Sequence, residues 1–142
     1  MRYADLLLMA AEAWNEAEET PNEKVYDYLD QVRERAGLEG IKETYAKYAS
    51  AQYKDYPSHK SQMRDIIHRE RQVELSCEGS YYWDTRRWKT AEKELNRIVQ
   101  TAEDYYIPTN IYNQQFTLRD YFAPIPDGDI IRNPQLVQNP WW

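Results

Sequence analysis

Apolar side chains at Tyr3, Leu6, Leu7, Ala10, Ala13, Trp14 and Ala17 recur every three or four positions, a spacing that predicts an amphipathic helix over residues 2–18. Pro21 ends it. Asn22 is placed to cap a second helix whose apolar stripe is Val25, Tyr28, Leu29, Val32 and Ala36, with Gly37 as its C-terminal stop. The short connection makes these two an antiparallel pair. Residues 38–60 lose the periodicity and carry Gly40, Pro57 and four tyrosines, Tyr45, Tyr48, Tyr53 and Tyr56, so they read as a helical fragment and a long loop.

A third helix is expected from a Ser61 cap to about Glu78, where Gly79 interrupts it before a short fourth helix through Trp88. From Tyr105 onward, prolines at 108, 124, 126, 134 and 140 exclude long helices. The tail must wrap rather than bundle. Its apolar residues Tyr121, Phe122, Ile125, Ile130, Ile131, Leu136 and Val137 are dense enough to pack along the helices as an ordered strap. The expected fold is therefore mainly α: antiparallel helix pairs in one domain over residues 1–142, with a Pro-rich, irregular C-terminal strap.

On a helical wheel the third helix raises a chemical question. Met63, Ile66, Ile67, Val73 and Cys77 share one side with Glu70, Glu74 and Glu78, while His68, Arg69, Gln72 and Ser76 point the other way. An unpaired carboxylate on a buried stripe costs several kcal/mol or takes up a proton. Partners are therefore required, and Arg2, Arg33, Arg86 and Arg87 are the candidates, because a guanidinium holds a carboxylate in a planar fork and stays charged when partly buried. The reading favoured is a structural ion lattice of Glu70, Arg71, Glu74, Glu78, Asp84, Arg86 and Arg87. The competing reading, a glycosidase using Glu70 and Glu74, needs one carboxyl kept protonated, and arginines nearby oppose that.

Composition narrows the remaining chemistry. A net charge of −6 without a basic block disfavours a nucleic-acid partner. The run "MRYADLLLMAAEAW" is too short and too charged for a signal peptide or a membrane span. A helical pattern that starts with the first residues suggests the C-terminal piece of something longer. Cys77 is the lone cysteine and is read as a small buried hydrophobe, and His59 and His68 lack partners at metal-ligand spacing, so neither metal nor cofactor is expected. Of 20 aromatic residues 13 are tyrosine. The flat rings of Tyr45, Tyr48, Tyr53 and Tyr56, and more weakly Trp141 and Trp142, could stack on sugar C–H faces.

Four segments then carry a resemblance: "RYADLLLMAAEAWNE" (2–16), "YDYLDQVRERAGL" (26–38), "RERQVELSCEGSYYWDTRRW" (69–88) and "YFAPIPDGDIIRNPQLVQNPWW" (121–142). In this order and at these distances they resemble the C-terminal part of the SusD/RagB family of outer-membrane nutrient-binding lipoproteins. The resemblance implies a tetratricopeptide-like helical fold, with Glu70, Arg71, Glu74, Glu78, Gly79, Asp84, Arg87 and Trp88 on signature positions. Tyr81 and Thr85 depart from the family's usual Arg and Leu. It also implies no enzymatic activity, and capture of oligosaccharides at the bacterial surface for delivery to a SusC-like TonB-dependent transporter. Membrane attachment would come through a lipid anchor outside these residues. The alternative within this class is a helical scaffold that docks the transporter and has no sugar site of its own.

Overall fold

The computed structural model describes residues 2–102 and 107–142 and is mainly helical. Tyr105, where the sequence places the start of the tail, lies outside the described residues. The chain gathers into two compact units, residues 1–81 and residues 82–142.

The first unit holds α1 (Tyr3–Ala17), α2 (Glu23–Arg35), α3 (Ile41–Tyr48), two 3-10 turns (Ala51–Tyr53 and Tyr56–Ser58) and α4 (Lys60–Glu74). α1 packs against both α2 and α4. Asn22 caps α2 as expected, its side chain accepting from the backbone N–H groups of Lys24 and Val25. α2 closes on Gly37 at φ +76°, which lets Leu38 N–H donate back to Arg33 O. Leu7, Leu8, Ala11, Val25, Tyr26, Leu29, Val32, Ile41, Met63, Ile66 and Ile67 form the core. The loop before α4 is tied down by the buried Tyr26 hydroxyl, which donates to Pro57 O at 2.8 Å.

The stripe on α1 is rotated from the expected one. Ala4, Leu7, Leu8, Ala11 and Asn15 are buried, whereas Tyr3 and Leu6 stand exposed. Leu6, Leu7 and Leu8 run consecutively, so periodicity cannot choose among them, and two neighbouring helices settle the face. α4 also departs at both ends. Ser61 is not its cap; its hydroxyl donates to Gln62 Oε1, and His59 precedes the first turn without a side-chain cap. The helix ends at Glu74 rather than Glu78, and Leu75 turns inward in place of Val73. Cys77, at φ +64°, is exposed, so the buried-hydrophobe assignment fails because the helix that would have carried it inward has already ended.

The second unit contains most of α5 (Ser80–Arg87), then α6 (Ala91–Leu95), β1 (Arg97–Ala102), β2 (Pro108–Gln114), a 3-10 turn (Leu118–Tyr121) and α7 (Asp127–Arg132). β1 and β2 pair antiparallel from Arg97 opposite Gln114 to Ala102 opposite Pro108, with a register shift between Val99 and Gln100. The sequence reading had no strands here. The apolar residues of this ribbon come as adjacent pairs, Ile98–Val99 and Ile111–Tyr112, which leaves little hydrophobic alternation to detect, and β2 is exposed along nearly its whole length. Beyond it the chain folds back on itself. Gln138 bonds both Ile125 N and Ile125 O, Asn139 Nδ2 donates to Ala123 O, and Trp142 Nε1 donates to Phe122 O. The strap is irregular, as expected, but Ile131 and Val137 are largely exposed, so its apolar side chains do not all pack. No described helix is long and apolar enough to cross a membrane.

Candidate functional site

The glutamate row of α4 sits where three helices meet. Glu70 and Glu74 have side chains only 19% and 12% exposed, so each carboxylate is largely removed from water. Each is met by guanidinium groups from other helices. Arg33 of α2 binds Glu70 Oε1 and also donates to Glu39 O and Thr44 Oγ1, both at 2.9 Å. Glu74 takes Arg35 on both oxygens, at 2.7 and 2.8 Å, and Arg2 at 3.0 Å. Arg2 continues to Glu78 at 2.6 Å and to the Glu74 carbonyl at 2.7 Å, and the hydrogen bonds it donates to the Glu78 and Glu74 carboxylates raise its pKa above the ordinary guanidinium value. Arg71, itself buried, lies 3.1 Å from Asp5 of α1. The partners of Glu70 and Glu74 thus come from α2 and from the residue preceding α1, and Arg35 is one the sequence reading did not name.

Asp84, Arg86 and Arg87 belong to the second unit. Arg87 pairs with Asp84 at 2.9 Å, as expected of residues three apart on a helix. Arg86 lies over the Tyr82 ring, 3.4 Å from its centroid, and donates to Tyr82 O.

The loop tyrosines divide. Tyr45 and Tyr56 pack against the core and line one cavity of about 200 Å³, together with Gln62, Asp65, Ile66, Arg69 and Glu70 of α4. Tyr53 sits edge-on to Tyr56, with centroids 4.8 Å apart. Tyr48 is 67% exposed and lies under Lys47 instead. Burial, reinforced by the Glu70 charge and opposed by Arg33, raises the Tyr45 pKa above the ordinary phenol value, so its hydroxyl stays a donor at neutral pH. The cleft therefore offers aromatic surface beside a carboxylate, an amide and a guanidinium, the groups that recognise a polyhydroxylated ligand. Gln62, Asp65 and Arg69 were missed as site residues. Their spacing of three and four places them on one ridge of α4, but the wheel drew attention to the glutamates alone.

A second cavity, of about 780 Å³, lies wholly in the second unit between α5 and the strap. Trp83, Leu118, Phe122 and Trp141 form its apolar lining, with Arg86, Arg87 and Lys89 among its polar groups. Trp141 lies near Phe122, with centroids 6.1 Å apart, whereas the Trp142 indole is spent on backbone carbonyls. His59 precedes α4, and His68, expected to face solvent, is half-buried with Nε2 3.9 Å from Glu12 Oε1. Among the described residues no group of three His, Cys, Asp or Glu side chains converges as a metal site.

Comparison with known proteins gives a consistent picture. A model of the SusD family matches residues 1–142. SusD-like protein P2 of Formosa agariphila is 31% identical over 139 residues, covering 98% of this chain and 24% of that protein. SusD-like protein P38 of the same organism is 30% identical, covering 97% and 23%. A SusD-like protein from Bacteroides fragilis superposes with a TM-score of 0.79 over 100% of this chain and 25% of its own, at 23% identity. A SusD homologue from Bacteroides thetaiotaomicron gives 0.61 at 28% identity, with 100% and 26% covered. The chain thus spans about a quarter of the length of the relatives it matches.

Proposed function

The chain belongs to the SusD family, and on that premise we propose that it is the C-terminal portion of a surface-exposed, outer-membrane glycan-binding protein. In this reading it captures an oligosaccharide nutrient without cleaving it and hands it to a SusC-like TonB-dependent transporter. A lipid anchor outside these residues would hold it at the membrane. The observation that carries the reading is the agreement of family and fold over the entire chain.

The geometry supports it. Glu70 and Glu74, one turn apart on α4, lack the environment of a catalytic carboxylate pair, since each is committed to arginines of other segments. We therefore assign the Glu70, Glu74 and Glu78 row, with Arg71, to the scaffold, and sugar contact to the tyrosine cleft, where Tyr45 and Tyr56 share one cavity and Tyr53 sits edge-on to Tyr56.

Calorimetric titration of the full-length gene product with oligosaccharides tests this. Saturable heat without release of reducing ends is expected. Release of reducing ends that disappears in Glu70→Gln, in a variant that still melts cooperatively, would overturn it.

A second reading is favoured by one observation, the aromatic cavity beside Trp83, Phe122 and Trp141. Apolar rings exposed together around one groove are the usual mark of a protein interface. On that reading the second unit docks the transporter. Loss of transporter co-purification in Trp83→Ala and Phe122→Ala, with glycan heat unchanged, is the expected result, and unchanged co-purification excludes it.

A further inference from the structure

Resting on the glycan-binding reading above, we propose that Gln62, Asp65 and Arg69 of α4 form the polar rim of a subsite for one uncharged sugar unit, lodged against Tyr45 and Tyr56.

The cleft has the right size and division of labour. Its volume, about 200 Å³, suits a single pyranose rather than a long chain segment. Tyr45 and Tyr56 are half-buried and packed against the core, so they present fixed aromatic surface at little further entropic cost. Sugar recognition also needs groups that discriminate among hydroxyls. Positions 62, 65 and 69 are three and four apart on a helix, which puts an amide, a carboxylate and a guanidinium in line along one edge. The carboxylate accepts from two adjacent hydroxyls, the guanidinium donates to two acceptors in a fixed fork, and the amide does either. Asp65 and Arg69 are exposed, so both can exchange water for ligand.

Charge decides the ligand class. Glu70, at the cleft's inner end, is neutralised by Arg33, and Asp65 and Arg69 cancel each other. A uronate or sulfate would find no net positive charge there, since Arg33 is offset by Glu70 and Arg69 by Asp65. An uncharged hexose or pentose finds balanced donors and acceptors. The cavity of the second unit, with its mostly aromatic and aliphatic lining, lacks such a set.

The test uses the full-length gene product titrated with maltohexaose, laminarihexaose and xylohexaose as uncharged probes and hexagalacturonate as the charged one. Wild type is expected to bind at least one uncharged probe and to prefer it to the galacturonate. Asp65→Asn and Arg69→Ala should each weaken that binding about 10- to 100-fold, the range for losing a hydrogen bond to a charged group, with melting temperatures unchanged because both side chains are exposed. Asp65→Lys should shift the preference toward hexagalacturonate, a change that a merely structural role would not produce. Preference for the charged probe in wild type, or wild-type binding by both Asp65→Asn and Arg69→Ala, would overturn this subsite and leave the broader glycan-binding reading standing. Absence of heat from every probe would overturn both.

Discussion

Arg33→Ala removes the cation that faces Glu70 across the α2–α4 contact. Both side chains are withdrawn from water, Arg33 to 10% and Glu70 to 19% exposure, so solvent cannot simply replace the missing partner. Removing one member of a buried pair costs about 3–5 kcal/mol, and the residual access of Glu70 to water places this case near the lower end, about 3 kcal/mol. Loss of the bonds to Glu39 O and Thr44 Oγ1 adds about 1 kcal/mol, because these two groups also bond to each other and keep that partner. The expected total, about 3–4 kcal/mol, corresponds to a fall of roughly 10 °C in Tm for a chain of this size. Urea unfolding followed by circular dichroism measures it, alongside Glu70→Leu and the double variant Arg33→Met/Glu70→Leu. The double variant replaces the pair by apolar side chains and should lose less than either single change, because no charge is left stranded. An Arg33→Ala cost below about 1 kcal/mol would refute the buried-pair argument, as would a double variant whose loss equals the sum of the singles.

Four further outcomes follow from the same geometry. The Glu16 pKa is lowered, first by the Arg64 hydrogen bond, so Glu16 contributes stability above its ordinary value of 4.5 that is lost as pH falls through the depressed folded value. Arg64→Gln should therefore flatten the acid limb of stability against pH, measured by denaturation from neutral pH downward, and an unchanged limb would rule the pair out as its source. Gly40→Ala places a Cβ 2.8 Å from Asp30 Oδ2, on the carboxylate whose other oxygen caps Ile41 N–H, and should cost about 1 kcal/mol through that bond, read as a lower urea midpoint. Asn15→Ala should cost about 1–3 kcal/mol, because fully buried Asn15 donates to Lys60 O and ties α1 to the start of α4; a neutral result in the same assay would mean the carbonyl finds water. Leu8→Ala, at the centre of the core, should cost about 2–5 kcal/mol, and a smaller loss would show that the core collapses onto the gap.

How much could be read in advance depended on how local the cause was. The first two helices, the Asn22 cap and the Gly37 stop follow from spacing and from backbone rules acting within a turn or two, and they are where the sequence put them. Glu70 and Glu74 could be placed on the inward side of α4 because a period of 3.6 residues fixes angular position over a single helix. Their partners could not be chosen from a sequence containing many arginines. Choosing Arg33 and Arg35 depends on how α2 lies against α4.

The cleft shows the same division. Tyrosine content suggested aromatic contact with a sugar, but only the fold could divide Tyr45 and Tyr56, which share a cavity with α4, from Tyr48, which faces solvent. Periodicity failed where several neighbouring residues were equally apolar, as at Leu6, Leu7 and Leu8, and where the apolar residues come as adjacent pairs that do not alternate, as Ile98–Val99 and Ile111–Tyr112 do in the β1–β2 ribbon. The sequence by itself determined the family, the helical class and the positions of its punctuating residues, because these depend on identity and short-range spacing. The tertiary structure alone decided which face of α1 is buried, which arginine answers each glutamate and which tyrosines meet, because each depends on distances between segments far apart along the chain.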